Sequence, residues 1–217
     1  MKKMALVFHA WDGYSWSWDL AMQCFKKFFD FSAMSSSWFF TEQLYPECRD
    51  LHFRHFGCGA GFEWTDRLRR GLEQVKEDYI LYVMEDQWPF LKLSPDEWQD
   101  QIEQMGRLHA NVLRLETSVS ALYTCLPGNV EGVRQLDDDL SQYLLSCQPA
   151  IWRKDFLLSM LQESEGPHHW ELEHSKKLLG KDNRIFVKPF PWCKHVIWRG
   201  QWIPEALQEM KERLANA

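Results

Sequence analysis

Two adjacent carboxylates, Glu85 and Asp86, are the residues of this sequence best placed to bind a metal or a phosphate-linked ligand. They follow Tyr79–Met84, an apolar run rich in β-forming residues, which predicts a strand that is covered on both faces. Ligands of an open α/β sheet bind beyond the carboxyl ends of its strands, and carboxylate oxygens are the ligands that Mg²⁺ and Mn²⁺ prefer. Acids that only end a strand and cap the next segment through Trp88 and Pro89 would give the same pattern, so both interpretations stay open here.

A helix is predicted directly before this strand. Leu68, Leu72 and Val75 recur at the spacing of one helix face, and Thr65 or Asp66 can cap the first turn. Four basic residues fall outside the apolar face and are left for solvent or ligand: Arg67, Arg69, Arg70 and Lys76.

The rest of the chain alternates between strand and helix patterns, which predicts a single α/β domain with a mixed sheet flanked by helices. The predicted strands lie at about 4–10, 37–42, 50–56, 79–85, 111–116, 184–189 and 194–199, with several short strand-like runs within 121–146. The predicted helices lie at about 18–30, 65–77, 94–111, 153–163, 169–179 and from Pro204 onwards.

The composition excludes several classes of protein. A length of 217 residues with 45% hydrophobic residues suits one globular core, and a net charge of −6 argues against a general nucleic-acid binder. The apolar run after Met1 is too short for a signal peptide and no run approaches a membrane span, so we expect a cytoplasmic protein whose membrane contact, if any, is peripheral. Six cysteines without a CxxC pair predict reduced thiols.

Five motifs in order resemble one family. The chain is similar to the small GT-A-type glycosyltransferases of bacterial surface-polysaccharide and lipopolysaccharide gene clusters, and the resemblance spans about Asp12 to Trp202. The motifs are Asp12-Gly13-Tyr14, Trp64-Thr65-Asp66-Arg67-Leu68, the strand ending in Glu85-Asp86, Ser146-Cys147-Gln148-Pro149-Ala150-Ile151-Trp152-Arg153, and Trp170-Glu171-Leu172-Glu173.

The resemblance implies transfer of a sugar from a nucleotide-sugar donor to a glycan or lipid-linked glycan acceptor. About 1–110 would bind the nucleotide sugar and about 111–217 would face the acceptor. Donor contacts are expected from Asp12, Asp66, Arg67, Glu85, Arg153, His195 and Arg199. Glu173, matching the acid of the family's Trp-x-Phe-Glu segment, is the expected base of an inverting reaction, with Glu171 as the fallback. Asp86 is the second expected catalytic acid, and the expected walls of the sugar pocket are Trp64, Trp152 and Trp170.

Two departures from the family pattern affect these expectations. Gln87-Trp88-Pro89 replaces the aromatic and aliphatic residues that usually follow Glu-Asp, which predicts a stiffer loop. The chain also lacks Asp-x-Asp, the usual metal-binding signature of the fold. Glu85 and Asp86 remain the expected ligands of Mg²⁺ or Mn²⁺, and a metal-independent reaction stays open as the alternative.

Two other classes of function compete with glycosyl transfer. A nucleotidyltransferase or phosphohydrolase could use the same strand-end acids, but it would be expected to carry a glycine-rich phosphate loop, and Gly57-Cys58-Gly59-Ala60-Gly61 lacks that pattern. A non-catalytic, Trp-rich carbohydrate- or nucleotide-binding module would have no use for a base at Glu173. The run His168–His174 invites a metal site, yet it lacks HExxH spacing, and solvated or capping histidines explain it as well.

Overall fold

The computed structural model describes residues 3–44, 52–116, 124–126 and 132–216. The first half contains the strands β1 (Met4–His9), β2 (Ser36–Thr41), β3 (Phe53–Gly57), β4 (Tyr79–Met84) and β5 (Gln87–Pro89), and the helices α1 (Ser15–Phe28), α2 (Trp64–Leu72) and α3 (Pro95–Arg107). The second half contains the strands β6 (Val112–Glu116), β7 (Arg134–Gln135), β8 (Ala150–Arg153), β9 (Ile185–Pro189), β10 (Cys193–His195), β11 (Ile197–Trp198) and β12 (Gln201–Trp202), and the helices α4 (Lys154–Met160), α5 (Pro167–Leu178) and α6 (Pro204–Ala215).

One eight-stranded mixed sheet organises the molecule, in the order β3-β2-β1-β4-β8-β6-β9-β7. Strands β1 to β4 are mutually parallel, β8 runs antiparallel to both β4 and β6, and β9 is parallel to β6. The predicted α/β class with a mixed sheet is therefore confirmed. Two short antiparallel pairings, β5 with β10 and the hairpin of β11 with β12, lie outside this sheet.

The central strands are apolar on both faces because each face carries its own core. In β1, Met4, Leu6 and Phe8 belong to one buried cluster, whereas Ala5 and Val7 belong to the other. The same alternation holds in β4, as the uninterrupted apolar run predicted. Helices α1 and α3 carry residues of the first cluster, and α2, α4 and α5 carry residues of the second.

Strand direction determines where the chemistry can lie. Because β1, β2, β4, β6 and β9 point the same way, their carboxyl ends meet at one edge of the sheet. β8 points the opposite way, so the segment that precedes it, 146–149, reaches this same edge. We call it the carboxyl edge below.

Element boundaries differ from the predicted ones mainly at irregular segments. The predicted helix at 65–77 ends at Leu72, and the predicted strand at 194–199 is divided between β10 and β11. The start of the predicted strand at 50–56 and part of the strand-like runs within 121–146 lie outside the described residues. Among the described helices, none is both long enough and apolar enough to cross a bilayer.

Gly71→Ala is expected to destabilise the protein, although alanine is the better helix former. A Cβ at Gly71 would lie 2.4 Å from Cε2 of Phe40, a fully buried ring that cannot move aside. Overpacking of this kind costs about 1–3 kcal/mol, which exceeds the roughly 1 kcal/mol gained in helix propensity. Urea denaturation measures the difference. Gly57→Ala is the control, because its Cβ would make only an ordinary 3.6 Å contact, and equal stability of both variants would contradict this packing.

Candidate functional site

A cleft of about 1020 Å³ opens at the carboxyl edge of the sheet. Its walls come from the segments that follow β1 and β4, from the end of β6, from 146–149 before β8, from the starts of α2 and α5, and from β10, β11 and the turn after β11. Segments distant in sequence meet here because parallel strands end at one edge.

Glu85 forms part of this cleft as a buried, largely neutral acid. It directly follows β4, is only 3% exposed and accepts a hydrogen bond from the Trp11 backbone N–H at 3.4 Å. Burial, followed by the neighbouring charge of Asp86, raises the pKa of Glu85 to about 8. At neutral pH this carboxyl therefore keeps its proton and can donate a hydrogen bond.

Asp86 is the more accessible member of the pair and contacts a histidine. Its Oδ2 lies 3.0 Å from Nε2 of His195, which β10 brings alongside because it pairs with β5 in antiparallel register. Burial alone would lower the pKa of His195, but the hydrogen bond and the charge of Asp86 together raise it above its ordinary value. The other oxygen, Oδ1, is buried and has no hydrogen-bond partner within the described chain.

The two acids fit a divalent cation only in part. Asp86 lines the cleft, and its carboxylate could hold Mg²⁺ or Mn²⁺ together with a ligand's own phosphates, as one carboxylate often does. Glu85, in contrast, would first have to lose its proton and its buried environment. Of the two predicted ligands, the geometry therefore favours Asp86, and metal dependence stays a prediction.

The two candidate bases lie on different sides of α5. Residues two apart on a helix are separated by roughly 200° of rotation, so Glu171 and Glu173 cannot share a face. Glu171 lines the cleft and accepts a hydrogen bond from the Cys147 backbone N–H at 2.7 Å, and burial raises its pKa. Glu173 is absent from the described lining residues, is 39% exposed and pairs with Lys176, which lowers its pKa. The fallback position, Glu171, is thus the one that the fold brings to the cleft.

Asp12 and Asp66, both predicted donor contacts, have other partners. Asp12 accepts hydrogen bonds from three successive backbone N–H groups, those of Glu42, Gln43 and Leu44, each at 2.9 Å. It therefore ties the loop after β1 to the end of β2. Asp66 lies in the first turn of α2, where it pairs with Arg69 at 2.8 Å and accepts a hydrogen bond from the Ser164 hydroxyl. Neither is among the described residues that line the cleft.

The predicted basic contacts are divided between the two edges of the sheet. Arg67 is buried in the cleft wall, pairs with Glu42 at 3.0 Å, and has an Nε without a hydrogen-bond partner among the described residues. Arg199 lies exposed at the rim. Arg153 pairs in register with Tyr79, the first residue of β4, so it lies at the opposite edge and forms an ion pair with Asp155.

Only one of the three predicted pocket tryptophans reaches the cleft. Trp64 lines it from the start of α2. Trp152 is opposite Ile80 within the sheet and Trp170 donates its indole N–H to the carbonyl of Met160, and both side chains are buried in the second core cluster. Trp152 and Trp170 therefore serve to pack the core, which explains why tryptophan is found at these two motif positions.

Sequence reasoning missed a buried ion pair in the cleft wall. Arg114 and Glu116 in β6 project to the same side because residues two apart on a strand share a face. The guanidinium contacts the carboxylate at 2.5 Å and also donates to the carbonyl of Tyr143. An Arg-x-Glu pattern at the end of an apolar strand was the available signal.

The histidine-rich run is held by local pairing. Glu163, Glu165 and His174 form a potential three-ligand cluster, the one such group found among the described residues. Within it, His174 contacts Glu165 at 2.6 Å and Lys177 pairs with Glu163. These contacts tie the segment before α5 to its helix, and His168 alone of the run's histidines lines the cleft.

Glu85→Gln should stabilise the protein increasingly as pH rises. Between about pH 4.5 and 8, folded Glu85 keeps a proton that the unfolded chain has lost, so the wild type loses stability through this window. Glutamine removes the linkage and keeps an acceptor for the Trp11 N–H. Melting temperatures of both proteins from pH 5 to 8.5 should diverge towards high pH. Glu173→Gln, at a carboxyl whose pKa is lowered, serves as the control and should give no such gain; a constant difference for Glu85→Gln would contradict the neutral state.

Comparisons with known proteins identify the fold. No family profile matches the chain, and no curated protein sequence does. Among solved structures, residues 1–349 of S. aureus TarS in complex with UDP-GlcNAc match with a TM-score of 0.61 at 14% identity, over 99% of this chain and 67% of that one. The chain spans 39% of a longer TarS structure.

Two nucleotide-handling enzymes match over their full length. CMP:2-keto-3-deoxy-manno-octonic acid synthetase complexed with CTP gives a TM-score of 0.59 at 15% identity, covering 99% of both chains. A nucleotidyl transferase from Methanothermobacter gives 0.58 at 14% identity, covering 100% of both. At these identities the likeness shows the fold alone: a Rossmann-like α/β fold of the kind that GT-A and nucleotidyltransferase proteins share.

Proposed function

We propose that this protein transfers a sugar from a nucleotide-sugar donor to a glycan acceptor, with inversion, in the assembly of bacterial surface polysaccharide. The observation that carries the proposal is the pairing of two acids in one cleft: Asp86 beside His195, and Glu171 with a raised pKa. Acids in unlike environments are how enzymes divide acid and base roles. Two matching structures support a nucleotide-sugar ligand for this fold: TarS in complex with UDP-GlcNAc, and UDP-glucose pyrophosphorylase complexed with UDP-glucose, the latter with a TM-score of 0.53 at 11% identity.

Glu171 is the base in this proposal. Its carboxylate takes the proton of the acceptor hydroxyl while that oxygen bonds to the anomeric carbon, and the bond from that carbon to the nucleoside diphosphate breaks. A pKa above that of an ordinary glutamate brings the group closer to the operating pH, which strengthens general-base catalysis. Its hydrogen bond from Cys147 N–H fixes the carboxylate while leaving acceptor capacity free.

The departing diphosphate lies, in this proposal, on the side of Asp86, His195 and Arg67. The raised pKa of His195 increases its cationic fraction near neutral pH, and a cationic imidazole in the cleft offsets the charge of a nearby phosphate. The buried Nε of Arg67, which has no hydrogen-bond partner among the described residues, can donate as well. A divalent cation, when bound at Asp86, would supply further charge neutralisation.

Nucleotidyl transfer is the competing activity, since three of the matching structures, UDP-glucose pyrophosphorylase among them, are of that class and are covered over 98% or more of their length. It requires stabilisation of a departing pyrophosphate, for which a loop rich in glycine and basic residues is suited. The segment between β1 and α1 contains one glycine and no lysine or arginine, and its carboxylate, Asp12, is engaged with the backbone after β2. This chemistry favours sugar transfer. A cytoplasmic location with peripheral membrane contact remains a prediction.

Glu171→Gln should reduce kcat by about 10²–10⁴-fold, because it removes the base but keeps the shape of the side chain. Glu173→Gln, on the opposite side of the same helix, should keep wild-type turnover. Release of the nucleoside diphosphate from a panel of nucleotide sugars, with bacterial surface glycans as acceptors, gives the measurement. Full activity in Glu171→Gln would refute the assignment of the base. Release of pyrophosphate from a nucleoside triphosphate and a sugar phosphate would instead establish nucleotidyl transfer.

Asp86→Asn should abolish the thermal stabilisation that a nucleotide sugar gives. Wild-type protein is screened with UDP-, GDP-, CMP- and dTDP-linked sugars, each with Mg²⁺, Mn²⁺ or EDTA, because a ligand that binds the native state raises the melting temperature. A shift that EDTA removes would support a cation at Asp86, whereas a shift that EDTA leaves unchanged would assign phosphate binding to His195 and Arg67. An undiminished shift in Asp86→Asn would contradict the placement of the diphosphate.

A further inference from the structure

Three tryptophans of the described chain are exposed, against the usual behaviour of this side chain. They are Trp11, Trp16 and Trp198, at 48%, 47% and 59% exposure. Trp11 and Trp198 line the cleft, whereas Trp16 does not belong to the described lining. Large apolar surface left open at the rim of a cleft is a mark of a binding site.

Each of the two rim tryptophans lies one contact away from the acid pair. The backbone N–H of Trp11 donates to Oε1 of Glu85 at 3.4 Å. The ring of Trp198 lies 5.8 Å from that of His195, edge to face, and His195 contacts Asp86. A ligand that rests on these rings is therefore beside the acids.

Two separate structural elements position the rings at the cleft. Trp11 belongs to the segment after β1, and Trp198 ends β11 in the hairpin whose turn is Arg199-Gly200. Both turn residues have positive φ, 50° and 78°, as two-residue hairpin turns of type I′ require. Tyr14 lies close to both elements. Its ring centre is 5.5 Å from that of Trp11, and its hydroxyl oxygen is 3.8 Å from the position that a Cβ would occupy on Gly200.

We infer that Trp11 and Trp198 form an aromatic mouth that binds a neutral pyranose of the acceptor glycan. A tryptophan ring offers a large rigid face, which suits the apolar C–H face of a pyranose ring. This inference rests on the proposed function and names the acceptor class for the same cleft.

Exposure and charge distinguish an acceptor sugar from a nucleotide as the ligand of the two rim tryptophans. A nucleotide must be gripped by the buried walls around Trp64 and Arg67, whereas an acceptor glycan continues into solvent and must pass the open rim. Of the five carboxyl side chains that line the cleft, Glu85 is protonated and Glu116 is paired with Arg114, which leaves Glu63, Asp86 and Glu171. Of the three guanidinium groups, Arg67 and Arg114 are paired with acids, and Arg199 lies 5.6 Å from the centre of the Trp198 ring. The remaining excess of carboxylates over free guanidinium groups favours a neutral pyranose over an anionic one at the rim.

Saturation-transfer NMR with simple methyl pyranosides tests the mouth without knowledge of the full acceptor. The probes are the methyl glycosides of glucose, galactose, mannose and N-acetylglucosamine, with methyl glucuronide as the anionic comparison. At least one neutral glycoside should receive saturation mainly on the protons of one C–H face. In Trp198→Ala and Trp11→Ala the signal should fall about fivefold, as expected for loss of one aromatic stacking contact. Trp16→Ala, equally exposed but outside the cleft lining, should keep it.

Nucleotide binding separates this inference from the proposed function. Thermal shifts with UDP-, GDP-, CMP- and dTDP-linked sugars should be the same in Trp198→Ala as in the wild type, and Trp198→Phe should keep glycoside binding. Undiminished glycoside signals in both alanine variants, no signal in the wild type, or preferential binding of the glucuronide would overturn the mouth. Loss of the nucleotide shift in Trp198→Ala would also overturn it, by making Trp198 a donor contact. Glycoside binding without any nucleotide shift in the wild type would keep the mouth and remove the proposed function.

Discussion

The parallel pairing of β1 with β4 is the constraint on which the site depends. Their register places His9 opposite Met84, so the next residues of both strands leave the sheet side by side. Trp11 and Tyr14 therefore stand next to Glu85 and Asp86, 74 residues further along the chain in the case of the Trp11–Glu85 hydrogen bond. Both strands are covered by apolar cores on their two faces, which fixes the register, since a slip by one residue would exchange the contents of the two cores. The positions of the cleft residues that follow β1 and β4 are consequently fixed by the packing of these strands in the two apolar cores.

Burial then gives each acid of the cleft a different character. Glu85 is deep enough to stay protonated near neutral pH, Asp86 keeps one oxygen on His195, and Glu171 is fixed by a backbone N–H. Two of the acids outside the cleft have close partners instead. Asp12 accepts hydrogen bonds from three backbone N–H groups, and Glu173 forms an ion pair with a lysine one helical turn away. Proximity to the carboxyl edge alone does not make an acid functional; its side chain must also line the cleft, as Asp86 and Glu171 do.

This distinction explains what the sequence could and could not predict. The apolar run before Glu85 and its place at the end of a buried strand follow from local pattern, and the α/β class follows from alternation of such patterns. Asp12 was out of reach because its partners lie about 30 residues away and are backbone groups, which leave no trace in side-chain pattern. Arg153 was misplaced because the antiparallel direction of β8 sends that residue to the opposite edge, and strand direction is a tertiary property. Trp152 and Trp170 belong to the motifs, yet a motif does not reveal which side chains it buries.

The rotation of α5 about its axis and the geometry of the β11–β12 hairpin decide which acid and which tryptophan reach the cleft. The choice between Glu171 and Glu173 depends on which face of α5 packs against the core, and Trp170 and His174, both buried, determine that rotation. The position of Trp198 depends on a two-residue turn in which a non-glycine residue, Arg199, adopts positive φ, a conformation that the surrounding pairs must support. β5 holds β10 in register, β10 places His195 against Asp86, and the hairpin that follows continues directly to Trp198. The same stretch of chain therefore sets both the electrostatics at Asp86 and the aromatic surface at the rim, so the two cannot vary independently.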